Sequence, residues 1–110
     1  MTLDDLIAYG ANVEEGLGRC MNNEAFYLRL VETVKDEKSF DALPQAIADG
    51  DLQAAFEAAH GLKGVLGNLA ITPLFQPVIE ITELLRARTE MDYSELLDTI
   101  AQERERFNAL

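Results

Sequence analysis

The chain has one histidine, His60, in the stretch Ala58-Ala-His-Gly-Leu-Lys-Gly-Val-Leu-Gly-Asn-Leu69. An imidazole with a free nitrogen lone pair is a nucleophile or a general base. Lys63 lies three residues on, and residues three apart are neighbours on a helix surface. It is the only Lys or Arg between Ser39 and Leu85. Its ammonium would stabilise an anion placed on the ring, such as a phosphoryl group. Gly64 lies one turn beyond His60, where a side chain would cover the imidazole. Gly61, Gly64 and Gly67 share this segment. Inside a helix each costs about 1 kcal/mol against alanine, about 3 kcal/mol together, so something must offset them. Two offsets are open: close approach of another molecule, or tight packing between helices. Gly67 also suits the end of a helix.

The spacing of apolar residues predicts a helix around this segment. With Leu52 at zero and about 100° per residue, Leu52, Ala55, Phe56, Ala59, Leu62 and Leu66 share one core face. His60 falls off the edge of that face, at about 80°. Gly67, Gly64, Gln53 and Glu57 lie on the same flank. Asp49-Gly50-Asp51 reads as a turn, with Asp51 capping the helix. Upstream, residues 3–20 read as one or two short helices, interrupted at Gly10. Asn22 or Asn23 caps a helix carrying Phe26, Leu30 and Val34. Ser39 or Asp41 starts another, with Phe40, Leu43 and Ile47 on one face. Pro44 fits it only within the first turn. Downstream the pattern breaks near Asn68–Ile71. Thr72-Pro73 reads as an N-cap with proline at the first helical position. Leu74, Val78, Ile81 and Leu85 follow at helical spacing, while Pro77 delays or bends that helix. Asp92 and Glu95 resemble a capping box before a last helix that faces Tyr93, Leu96, Ile100 and Phe107 inward. The expected fold is all-α: an antiparallel four-helix bundle with a short N-terminal helical extension, one domain over residues 1–110.

Composition narrows the function. The 110 residues carry a net charge of −11, which disfavours nucleic acid and anionic membrane surfaces as partners. A lone Cys20 and a lone histidine allow no internal disulfide and no Cys-rich or His-His metal site. Cys20 has no nearby histidine or basic cluster to activate it. No apolar run approaches the roughly 18 residues of a spanning helix, and no signal peptide opens the chain. The expected location is cytoplasmic. There is no nucleotide-binding G-x-x-x-x-G-K-[ST] loop, and neither Ser39 nor Ser94 sits in a nucleophile motif. Charged runs such as Glu103-Arg104-Glu105-Arg106 read as solvated helix faces.

His60-Gly-Leu-Lys-Gly64 resembles the H-x-L-K-G core of histidine-containing phosphotransfer (HPt) domains. Ala58-Ala59 and Gly67-Asn68-Leu69 are similar to the family's flanks. Asn12–Cys20 resembles its N-terminal helix, Asn23–Glu37 its first bundle helix, Phe40–Phe56 the approach to the phosphorylated helix, and Leu74–Leu85 the helix after it. Many members carry Gly-Ala where Ala70 and Ile71 stand here, and Pro73 and Pro77 make the start of the next helix unusual.

The resemblance implies a phosphocarrier in a two-component phosphorelay, not an enzyme with a kinase motif of its own. It makes His60 the phosphoryl acceptor, Lys63 the cation beside the phosphohistidine and Gly64 the residue that leaves the ring accessible. Receiver domains of response regulators, or a hybrid sensor histidine kinase, would be the partners. Gln53, Glu57, Gly67 and Asn68 are candidate docking residues. An antiparallel next helix brings Thr82, Glu83 or Arg86 level with His60. The chain would need no cofactor, since Mg²⁺ belongs to the receiver, and it reads as a free-standing monomer. Two other functions compete. One is a helical adaptor that binds signalling proteins without phosphorylation. The other is an enzyme using His60 as a general base, which would need a cleft with convergent polar groups.

Overall fold

Side-chain caps set most of the helix starts. The structure, a computed structural model, describes residues 1–110. The helices are α1 (Leu3–Tyr9), α2 (Val13–Arg19), α3 (Glu24–Thr33), α4 (Ser39–Ala48), α5 (Leu52–Asn68), α6 (Thr72–Arg86) and α7 (Ser94–Asn108), with a 3₁₀ turn at Val34–Asp36 after α3. Thr2, Asn12, Asn23 and Asp51 each accept a backbone N–H three residues on, so each holds an otherwise unpaired donor of the first turn. Gly10, at φ 114°, and Gly50, at φ 73°, take the left-handed turns that end α1 and lead into α5.

Helices α4 to α7 form an antiparallel bundle. Helix α5 lies between α4 and α6, and α7 packs on α6. Arg104 of α7 reaches Asp41 of α4 at 3.2 Å and lies over the Phe40 ring. The buried cluster runs from Leu6 to Phe107 and includes Leu43, Ala59, Leu62, Leu66, Ile71, Leu74, Ile81 and Leu85. No helix is long and apolar enough to cross a membrane.

The expected elements form, with local differences. Pro44 lies in the second turn of α4, not its first, and Pro77 lies in the second turn of an α6 that starts at Thr72. Each proline denies a helical donor to the carbonyl four residues before it, a cost of about 3 kcal/mol. Burial of Leu43 and Ala46 in α4, and of Leu74, Val78 and Ile81 in α6, offsets it. Thr72 does not cap α6: Ile71 holds the cap position, Pro73 is the second helical residue, and the Thr72 hydroxyl donates to the Ala70 carbonyl. Asp92 and Glu95 make no capping box. Asp92 takes the N–H and hydroxyl of Ser94 instead.

The core face of α3 also differs from the expected one. Tyr27, Val31 and Val34 are buried, while Phe26 and Leu30 are only partly so. The Tyr27 hydroxyl donates to the Leu69 carbonyl at 2.8 Å, which fixes the turn after α5. The α1–α2 extension grips the same turn. The Asn12 N–H donates to the Ala70 carbonyl at 2.9 Å, and Arg19 donates to the carbonyls of Gly67 and Asn68. Ala70 stands at φ 56°, a left-handed position where alanine is strained by about 1 kcal/mol, and these bonds hold it there.

Gly16 lets α2 lie against Tyr27. A Cβ at position 16 would fall 2.5 Å from that ring, which is fully buried and tied at its hydroxyl. Gly16→Ala is therefore expected to destabilise the fold by about 1–3 kcal/mol, the usual cost of overpacking, despite alanine's better helix propensity. Urea unfolding of the two proteins measures it.

Candidate functional site

The site is built on the outer face of α5. Burial of Ala55, Ala59, Leu62 and Leu66 turns that face of the helix inward, and the helical period leaves His60 exposed. Phe56 does not join the core as its spacing suggested. It is half-buried at the edge, and its ring stacks on the His60 imidazole with centroids 5.6 Å apart and planes at 22°. An offset stack of this kind restrains the imidazole from one side.

Helix α6 runs back past this face and supplies charge. Lys63 Nζ lies 3.5 Å from Glu83 Oε1, and Arg86 Nε lies 3.2 Å from Glu83 Oε2, so one carboxylate bridges two cations. Desolvation pushes the Glu83 carboxyl up, but the hydrogen bonds and charges of Arg86 and then Lys63 outweigh it and hold the group below its ordinary range. The Arg86 guanidinium lies 5.0 Å from the Phe56 centroid, and that of Arg88 lies 6.0 Å from it. Arg88 also donates to Gln53 Oε1, and Gln53 donates to Glu57 Oε1 at 3.0 Å. Three cations thus meet around one face of a chain whose net charge is −11.

Of the α6 residues expected level with His60, Glu83 and Arg86 reach this face. Thr82 does not: it is fully buried, and its hydroxyl donates to the Val78 carbonyl. Arg88 and Phe56 are the residues sequence reasoning missed. The four-residue spacing from Phe56 to His60 was a usable signal. Arg88 gave none, because it joins the site through a left-handed turn, at φ 54°, after α6 ends.

The three glycines of α5 play different parts. A Cβ on Gly64 would meet nothing within 4 Å, so the space beside His60 is open. One on Gly61 would only touch Ser39 Oγ at 4.0 Å. One on Gly67 would lie 2.9 Å from the Phe75 ring. Gly67 therefore serves the packing of α5 against α6, and its backbone remains half-buried on the flank where a docking role was expected. Asn68 is exposed and borders a shallow groove with Gly64, Val65, Leu30, Thr33 and Glu37. His60 thus has two flanks: the charged side with Gln53, Phe56, Lys63 and Arg86, and the open side with Gly64 and Asn68.

The family model described as Hpt domain matches residues 30–110, from the end of α3 through α7. The chain belongs to the Hpt domain family. That family comprises helical phosphocarriers, not enzymes, which serve histidine phosphotransfer in phosphorelays and interact with receiver domains. No curated protein and no solved structure gives a significant match to the chain.

Proposed function

We propose that His60 takes a phosphoryl group from the phospho-aspartate of a receiver domain and passes it to the aspartate of another. The observation that carries this reading is an exposed imidazole on the bundle's second helix, stacked on Phe56, with open space one turn on at Gly64. Nε2 of the neutral ring attacks phosphorus in line. The N–P bond forms as the bond to the carboxylate oxygen breaks, and the ring proton stays on Nδ1. Transfer back to a second carboxylate reverses these changes. Positioning and electrostatics carry such a reaction. The chain contributes the oriented ring and the Lys63 cation, while the receiver contributes the divalent cation and the aspartate. No nucleotide or metal of its own is required.

The test is phosphotransfer from a panel of receivers charged with acetyl phosphate, to the wild-type chain and to His60→Gln. The wild type is expected to gain an acid-labile, alkali-stable label and the variant none. His60 is exposed, so the variant should keep its helical circular dichroism. Equal labelling of both proteins would refute the assignment. A folded wild type that binds a receiver tightly yet never takes label would favour the adaptor function.

A further inference from the structure

Lys63 is engaged in the structure, although its expected role is to meet a phosphoryl group. Its ammonium lies 3.5 Å from Glu83, and Glu83 is held in turn by Arg86 at 3.2 Å. We propose that Glu83 is a built-in counter-ion which occupies Lys63 while His60 is free and competes for it once the phosphoryl group is in place. Glu83 is thus a positioning residue that acts through Lys63 and limits how strongly the chain holds its cargo. The inference rests on the phosphocarrier reading above.

First, a phosphoryl dianion on Nε2 and the Glu83 carboxylate would share one cation, since Lys63 lies one turn from His60 and also reaches Glu83. Second, the carboxylate stays ionised, because the two cations hold it so. It therefore stays able to compete for the ammonium. Third, the pair is exchangeable: the Lys63 side chain is 33% exposed and that of Glu83 52%, so neither is locked by burial. The arrangement suits a carrier. A site that bound the phosphoryl group as tightly as its cations allow would accept it readily and release it poorly. Any group shifts a transfer equilibrium only by its differential interaction with the two states. Glu83 makes that difference smaller by engaging Lys63 in the unphosphorylated state.

The experiment needs no cognate receiver. The wild type, Glu83→Gln, Lys63→Gln, the double variant and Glu80→Gln are phosphorylated with phosphoramidate. The ³¹P shift of the phosphohistidine is then followed against pH, which gives the second acid dissociation constant of the phosphoryl group. Glu80 carries the same charge but borders the groove toward α7, so it controls for net charge alone. Glu83→Gln is expected to raise the dissociation constant by about fivefold, the upper end of what one exposed pair is worth. The change should shrink at 1 M salt, where screening reaches about 3 Å. In the Lys63→Gln background most of it should vanish. A wild type that takes no phosphoryl group on His60 would overturn the phosphocarrier reading and this inference with it. A labelled wild type in which Glu83→Gln matches the wild type or Glu80→Gln, or acts equally without Lys63, would overturn this inference alone.

Discussion

Replacing Gly64 with leucine is expected to slow phosphotransfer from a receiver by about a hundredfold, the effect of holding reacting atoms about 1 Å from their in-line distance. The reason is geometric. A Cβ at position 64 meets nothing within 4 Å, so the new side chain extends into the open space beside His60, through which the proposed function brings a receiver. Stability should move the other way. Gly64 is an exposed glycine inside α5, and a side chain there removes a propensity cost of about 0.5–1 kcal/mol. The paired measurements are receiver-to-chain transfer under single-turnover conditions and urea unfolding. Opposite signs would separate access from folding. A slower rate accompanied by a less stable protein would mean that the glycine serves the fold.

The largest effect on stability is expected at Tyr27. Its ring is fully buried, it fills the space under Gly16, and its hydroxyl holds the Leu69 carbonyl. Tyr27→Ala should cost about 3–5 kcal/mol through the lost transfer energy and the cavity left behind. That is a large share of the roughly 5–15 kcal/mol by which a domain of this size is stable. Tyr27→Phe keeps the ring and removes one donor from a buried carbonyl, so it should cost about 1–3 kcal/mol. Thermal and urea unfolding of both variants measure these costs. Phosphotransfer by the folded fraction of Tyr27→Phe should remain close to wild type, since Tyr27 lies at the α5–α6 turn and not beside His60.

The sequence made α5 legible because its signals agree. Asp51 caps it, Gly50 turns into it, and one apolar stripe faces the core, so simple angular arithmetic put His60 outside. The family resemblance had its motif in that same segment, with weaker likeness along nearly the whole chain, and the family match covers residues 30–110. Elsewhere two signals competed. On α3, Phe26-Leu30-Val34 and Tyr27-Val31-Val34 are adjacent stripes of helical spacing, and only packing against Gly16 and Leu69 selects the second. Prolines 44 and 77 argued against the second turn of a helix, but burial of the neighbouring side chains outweighed the lost bonds. Gly67 looked like its neighbour Gly64 because spacing cannot say which glycine meets another helix, and Phe75 decides it. The charged flank was half legible. Lys63 was visible by its place beside His60, and Arg86 by the antiparallel return of α6. Glu83's hold on both cations and Arg88's approach to Phe56 are products of tertiary geometry.

The central claim is that the phosphoryl group sits on the ring of His60, and the single histidine makes this directly observable. The imidazole gives one set of ¹⁵N ring signals, which need no assignment among other histidines. After phosphorylation by a charged receiver, the account predicts ³¹P coupling to Nε2 with the proton retained on Nδ1, and loss of the coupling alone on incubation with a second, unphosphorylated receiver. An imidazole spectrum unchanged while the protein carries label, or label that persists in His60→Gln, would contradict it.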